Sequence, residues 1–221
     1  MTASVPTPTE DLWEAYSLIY GFLNETLFKN TLPNCILNFA THGRSNAFFT
    51  PARWQQQRER HEAEWREGQG KKIAHELSLN PVLLDGPIEK VLAWIVRLMV
   101  QLHLYELGDY YDYQQGYYTA EFYDAMWAIG LPCSSDGTPT GKRTGYSMKH
   151  WIDPAGKFAN AIKDIPQDYF PWSGDKRRPA TGKKPLLYGC SVCGAKIKTP
   201  KPISGVCTTE NCDQPFELLA S

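Results

Sequence analysis

Ile88-Glu89-Lys90-Val91-Leu92-Ala93-Trp94-Ile95-Val96-Arg97-Leu98-Met99-Val100-Gln101-Leu102 is the stretch on which the fold turns. Ile88, Val91, Leu92, Ile95, Met99 and Leu102 recur at the spacing of one helix face. Val96, Leu98, Val100 and Leu104 make much of the other side apolar too. A helix apolar almost all round is covered on both sides. Asp85-Gly86-Pro87 starts it, and the pattern runs to about Glu106. Arg97 sits inside this pattern, and a guanidinium keeps its charge at any accessible pH. An unpaired buried charge is costly, so Arg97 needs partners.

Upstream, Thr7-Pro8-Thr9-Glu10 is a capping box with proline at the first helical position. Leu12, Tyr16, Ile19, Leu23 and Leu27 then mark a first helix, which Leu32-Pro33-Asn34 ends. Cys35–Ala40 and Ala47–Thr50 read as short strands with a Gly-Arg-Ser-Asn turn between them. Trp54–Glu67 is charge-dense and reads as an exposed helix or an excursion of the chain. Ile73–Leu79 alternates like a strand. Downstream, a tyrosine-rich stretch from Tyr105 to Tyr118 leads into a third helix, Thr119–Ile129, which Gly130-Leu131-Pro132 closes. The expected class is α+β: helix, small three-stranded sheet, two helices, then a cysteine module. The expected organisation is a main domain over residues 1–165, a basic Pro-rich linker over 166–185 and a metal module over 186–221.

Six cysteines divide by context. Cys35 and Cys133 stand alone and read as small core residues. Cys190, Cys193, Cys207 and Cys212 form Cys-x2-Cys, thirteen residues, then Cys-x4-Cys. Each pair can approach one ion from a tight turn, and Gly194 suits the left-handed turn of such a knuckle. Four thiolates close a tetrahedral shell, so the expected cofactor is one structural Zn2+ with no open position for a substrate. Met1–Glu10 carries neither a basic nor an apolar segment of the secretory kind, so reduced thiols in a cytoplasmic protein are expected.

Over 221 residues, 42% hydrophobic and 21% charged, a packed core is expected and global disorder is excluded. No apolar run reaches the roughly 18 residues of a membrane-spanning helix, so no membrane partner is expected. The net charge of -1 hides a split. Residues 1–141 hold 10 Lys/Arg against 17 Asp/Glu, whereas residues 142–201 hold 13 against 4. The basic block is either a polyanion footprint or a solvated linker.

Taken together and in order, several segments carry a family resemblance. They are Leu32-Pro33-Asn34-Cys35, Phe48-Phe49-Thr50-Pro51-Ala52-Arg53-Trp54 and His75-Glu76-Leu77-Ser78-Leu79-Asn80-Pro81. Ser135-Asp136-Gly137-Thr138-Pro139 follows, and then Gly141-Lys142-Arg143-Thr144-Gly145-Tyr146-Ser147-Met148-Lys149-His150-Trp151-Ile152. Over roughly residues 9–162 the chain resembles the SprT-like (Spartan-type) family of zinc metalloprotease domains. The cysteine module looks like the zinc ribbon that often follows them.

The chain departs from that family at the catalytic centre. The family's second helix carries His-Glu-x-x-His, two zinc ligands and a Glu that activates water. At the matching positions stand Arg97, Leu98 and Gln101, and Tyr118 stands where a third His is expected. Arg97 repels a cation, Leu98 accepts no proton, Gln101 is a poor ligand and Tyr118 is mostly protonated at neutral pH. His103 is no substitute, being about 200° round the helix from Gln101. His75-Glu76 looks like half a metalloprotease motif, but in a strand context and with Leu79 in place of a second His. The resemblance therefore implies a pseudoenzyme. In family-like topology Glu121 and Asp112 are the expected partners of Arg97, as an ion-pair network replacing the zinc. Tyr110, Tyr111, Tyr113, Tyr117 and Tyr118 either fill the vacated cleft or form a contact face.

Family members are associated with DNA, and the chain adds a matching residue set. Lys142, Arg143 and Lys149 lie in the basic turn, Lys176, Arg177, Arg178, Lys183 and Lys184 in the linker, and Lys196, Lys198 and Lys201 in the ribbon. Tyr146, Trp151, Trp172 and Tyr188 are interleaved with them, and Trp172 is the expected stacking residue. Cations neutralise phosphates and exposed rings stack on unpaired bases. The expected function is a catalytically inactive, nucleic-acid-binding subunit of a larger nucleoprotein assembly, with DNA and protein partners. A protein-interaction or inhibitor module without nucleic-acid binding is the alternative.

Overall fold

The computed structural model describes residues 6–41, 45–56, 72–108, 116–173, 186–199, 201–209 and 212–220. The chain divides into two compact units, Met1–Asp175 and Lys176–Ser221. The first is a mixed α+β unit, and the second is built on one small sheet.

Helix α1, Pro8–Phe28, opens on the expected capping box. The Thr7 N–H donates to Glu10 Oε2 at 2.8 Å, and the Glu10 N–H donates to Thr7 Oγ1 at 3.3 Å. At its far end the buried Asn24 side chain brackets Leu32. Its Nδ2 donates to the Leu32 carbonyl at 3.0 Å and its Oδ1 accepts from the Leu32 N–H at 3.2 Å. That clamp replaces water for two backbone groups and turns the chain into the sheet.

The first sheet is β1 (Ile36–Phe39), β2 (Ala47–Gln55) and β3 (Ile73–Leu79), in the order β1-β3-β2. β3 pairs in parallel with β1 and antiparallel with β2, so the two short strands expected in tandem flank β3 and do not pair with each other. β2 also corrects the reading of Trp54–Glu67 at its start. The strand passes an irregularity between Thr50 and Trp54 and continues through Trp54 and Gln55. Ala52, at φ 50°, takes the left-handed conformation that this irregularity demands. The rest of that segment, from residue 57 to 67, lies outside the described residues.

A short 3-10 turn, Pro81–Asp85, capped by Asn80 Oδ1, leads into α2, Ile88–Glu106. Buried residues lie all round α2 from Val91 to Leu102, as its composition demands. The sheet, α1 and α3 (Ala120–Ile129) contribute to the same core, with Tyr16, Leu23, Leu77, Leu79, Phe122 and Met126 buried. Among the described residues no helix is long and apolar enough to cross a membrane.

The Gly-, Ser- and Thr-rich stretch after α3 holds elements that composition did not reveal. β4 (Cys133–Ser134) pairs antiparallel with β5 (Lys149–His150), and α4 spans Lys157–Ile162. Gly130 and Gly156 let α3 and α4 approach. A Cβ on Gly156 would lie 2.6 Å from Gly130 Cα, and Gly130 itself has φ 91°. The obstacle is backbone and cannot swing away. Gly156→Ala is therefore expected to lower stability by about 1–3 kcal/mol in urea unfolding, as overpacking does. A change within a few tenths of a kcal/mol would show that the α3–α4 crossing relaxes freely. Ile165, Tyr169 and Phe170 still pack on this core.

The second unit is a three-stranded sheet in the order β7-β6-β8, with β6 Leu186–Gly189, β7 Lys196–Thr199 and β8 Glu217–Ala220. Both pairings are antiparallel. Apart from its cysteines, Tyr188 is the one residue in the buried hydrophobic core of this unit among the described residues.

Candidate functional site: a caged guanidinium and a four-cysteine metal set

Arg97 is 3% exposed on α2. Its guanidinium carbon lies 4.5 Å from the centroid of the Tyr118 ring, 5.1 Å from Phe122 and 5.3 Å from Trp94. Its Nη1 is 3.3 Å from Nδ1 of His150. Arginine only donates, so His150 Nδ1 accepts and the imidazole proton sits on Nε2. The rings brace one another: Trp94 meets His150 edge-on at 4.8 Å, and Tyr118 meets Phe122 at 4.6 Å. Local folding places each wall. α2 puts Trp94 one turn before Arg97, and β4–β5 pairing delivers His150 opposite Cys133. Tyr118 is held by an exchange of backbone hydrogen bonds with Gly145, at 2.8 and 3.1 Å.

Of the two carboxylates expected to pair with Arg97, only Glu121 is among the described residues, and it does not do so. Glu121 is exposed in the first turn of α3, and among the described residues no carboxylate pairs with Arg97. Asp112 lies outside the described residues, as do Tyr110, Tyr111 and Tyr113. Among the described residues, negative ring faces and a neutral imidazole lone pair offset the charge. The physical reason is reach. The carboxylate on α3 faces solvent, whereas the residue across the β4–β5 ladder faces the helix.

His150 must stay neutral to accept that bond. Burial pushes its pKa down from 6.5 to about 3, and the adjacent Arg97 charge adds to the effect. A depressed histidine favours folding above its unfolded pKa, and the benefit is lost as pH falls. From this group alone, stability should drop by about 1.4 kcal/mol per pH unit between pH 6.5 and pH 3. His150→Gln, which keeps an acceptor and does not titrate, should flatten that slope in pH-dependent urea unfolding. An unchanged slope would assign the acid sensitivity to other groups.

The four family-related positions come together only in part. Arg97 and Tyr118 touch, Gln101 is buried one turn beyond Arg97, and Leu98 is 1% exposed in the core. Among the described residues no group of three or more His, Cys, Asp or Glu ligands gathers here. The centre of the cluster is a permanent cation, which repels a zinc ion. The half-motif on β3 is also resolved. Strand alternation sends His75 and Glu76 to opposite faces. His75 stacks edge-on against Tyr105, takes the Ala52 N–H on Nδ1 at 3.1 Å and meets Glu106 through Nε2 at 3.1 Å.

Glu76, 1% exposed, is a buried strut that the sequence did not announce. It accepts from Trp54 Nε1 and Ser78 Oγ, both at 2.6 Å, and from Asn38 Nδ2 at 3.3 Å, with Arg53 Nε at 3.1 Å. Burial alone would raise its pKa, but the bonds from Ser78, Asn38 and Trp54 and the Arg53 charge bring it below the ordinary carboxylate value. Its one signal in the sequence was a place within the predicted strand Ile73–Leu79.

The four cysteines of the second unit converge. The Sγ atoms of Cys190, Cys193, Cys207 and Cys212 all lie within 4.8 Å of one another. Two tight turns aim them. Gly194, at φ 73°, donates to the Cys190 carbonyl at 3.0 Å, and Cys212 donates to the Thr209 carbonyl at 3.0 Å. Cys190, Cys207 and Cys212 are buried and Cys193 is exposed. Backbone donation from Ala195 and the neighbouring thiols pulls the Cys193 thiol down to about 6, whereas burial and the same neighbours push Cys212 up to about 12. A tetrahedral thiolate shell at about 2.3 Å needs sulfurs roughly 3.8 Å apart, which this cluster meets with small adjustments. The set can hold a metal ion in a closed shell. Cys35 and Cys133 differ: burial pushes both thiols up to about 11, which fits inert core residues.

Of the expected nucleic-acid contacts, Lys142, Arg143, Lys149, Lys196, Lys198 and Lys201 are exposed, and Trp172 is 45% exposed. Lys176, Arg177, Arg178, Lys183 and Lys184 lie outside the described residues. No protein-family model, curated protein or solved structure matches the chain. Fold and site thus define a class and no more: an α+β unit joined to a four-cysteine metal-binding module.

Proposed function

We propose that the chain is a proteolytically inactive SprT-like protein that binds nucleic acid, DNA above all, as part of a larger nucleoprotein assembly. The metal in its cysteine module is one structural Zn2+. The observation that supports the loss of catalysis is the caged Arg97 at the position of a zinc ligand. The charge split supports the binding role, since 13 of the 23 cations fall within residues 142–201. The six described lysines and arginines of the expected contact set all reach solvent. Soft thiolate sulfurs in a closed shell select zinc over the harder divalent ions.

Such binding is largely counterion release. The slope of log K against log salt is expected near -0.9 per phosphate on duplex and near -0.7 on single strands. Arg177, Arg178, Lys183 and Lys184 changed together to Glu should weaken every sequence alike and flatten that slope. Trp172→Ala should instead weaken single strands by about 1–3 kcal/mol with the slope unchanged. Fluorescence anisotropy at several salt concentrations measures all three. If the charge reversal leaves affinity intact, the linker is a tether and the chain is a protein-interaction module.

A further inference from the structure

The outer side of α3 and the basic turn share a set of rings, of which Tyr123 belongs also to the core. Tyr123 and Trp127, one helical turn apart, stack with centroids 5.8 Å apart and planes 28° from parallel. The Arg143 guanidinium lies over the same Tyr123 ring, 5.1 Å from its centroid. Tyr123 is thereby nearly covered, at 9% exposure, while Trp127 keeps 50%. Three residues beyond Arg143, Tyr146 is 67% exposed and meets the Tyr117 ring edge-on at 5.2 Å. A tryptophan and a tyrosine, with a cation between them along the chain, each lean on one ring and keep half or more of their surface open to solvent.

The turn that carries this set is stiff. Gly145 and Tyr118 exchange two backbone hydrogen bonds. The Lys142 carbonyl accepts from the Ser135 N–H at 3.0 Å, and the Lys142 N–H donates to Ser135 Oγ at 3.1 Å. Asp136 Oδ1 accepts from Ser134 Oγ at 3.0 Å and from the Thr138 N–H at 2.9 Å. None of these bonds uses the rings or the guanidinium, so the backbone of the turn is held in place independently of them. A surface ordered in advance loses less entropy when it binds.

We propose that Trp127, Arg143 and Tyr146 form a stacking surface for the unpaired bases of a single-stranded nucleic acid, with Lys142 and Lys149 on its phosphates. The proposal rests on the nucleic-acid reading above and deepens it to strand type. Paired bases are stacked inside a duplex and cannot lie on these rings, whereas every unpaired base has a free π-face. The charge balance points the same way. Exposed Glu121 and Asp124 on α3 oppose the three cations of the turn, so the local field attracts phosphates only weakly. Stacking, which salt does not screen, carries the contact, in contrast to the charge-driven linker.

The test uses the full chain with a fluorescein-labelled oligothymidine and a labelled duplex. Trp127→Ala and Tyr146→Ala should each weaken oligothymidine binding by roughly 5- to 150-fold, leaving duplex affinity and the salt slope unchanged. Trp127→Phe, which keeps a ring and the fold, should recover most of the loss. If both alanine variants bind oligothymidine like the parent while the linker charge reversal abolishes binding, the nucleic-acid reading stands and this surface is overturned. Equal losses on single strands and duplex overturn it too. If the parent binds neither probe, the reading fails and the surface falls with it. Unchanged oligothymidine binding together with lost association with a polyproline peptide would give the face to a protein partner and overturn the assignment.

Discussion

Arg97→Ala should lower the stability of the first unit by about 2–5 kcal/mol, the range for emptying a large buried site. The change removes the whole guanidinium and its aliphatic stem from between Trp94, Tyr118 and Phe122. It also leaves His150 Nδ1 without its donor. An opposing effect exists, because a charge once held at 3% exposure no longer has to be desolvated. The comparison of variants decides between them. Arg97→Met fills most of the volume without charge and should fall within about 1 kcal/mol of the parent, as buried charges replaced by apolar groups of like volume often do. Arg97→Lys keeps the charge, but a compact ammonium cannot lie flat against three rings and is more strongly hydrated. It should be less stable than Arg97→Met, and increasingly stable as the pH rises and the lysine discharges. Urea unfolding at two pH values measures this. An alanine variant as stable as the parent would mean that the cage does not hold α2, α3 and β5 together.

Removal of the metal should have the largest effect of all, confined to the second unit. Beyond its metal set that unit buries only Tyr188 among its described hydrophobic residues. Packing of that extent cannot offset the conformational entropy of an ordered module. Structural zinc in modules of this kind supplies about 10–16 kcal/mol of apparent folding free energy at neutral pH. Cys190→Ser, or a strong chelator, should therefore release the ion and open residues 186–221 to protease, while residues 9–160 stay resistant. Limited proteolysis read by mass spectrometry shows both halves in one experiment. Loss of resistance in both regions together would make them a single cooperative unit.

Local signals in the sequence specify most of the framework. The Thr7–Glu10 box marked the start of α1 to the residue, the all-round apolarity of Ile88–Leu104 marked a central buried helix, and the cysteine spacing predicted the convergence of four sulfurs. These patterns are written within one turn or one hairpin. What escaped was non-local. Nothing near Ile36 or Ala47 says that β3, about thirty residues on, lies between them. The β4–β5 ladder is two residues long on each side, too short for alternation to show, yet it brings His150 to Arg97. The charge of Arg97 points to a carboxylate, whereas among the described residues its neighbours are rings and a neutral imidazole. Glu76 is a local case. Its dipeptide with His75 imitates a helical metal motif, but the alternation of Ile73–Leu79 already reads as a strand, on which neighbouring side chains never share a face.

The central claim is that this scaffold works by binding and holds its only metal in the cysteine module. Native mass spectrometry of the full chain, purified with zinc present, counts the ions directly. One zinc per chain is predicted, kept in Arg97→Met and lost in Cys190→Ser. Two zinc ions per chain, or a zinc that survives Cys190→Ser, would contradict the claim and return the first unit to the metalloenzymes.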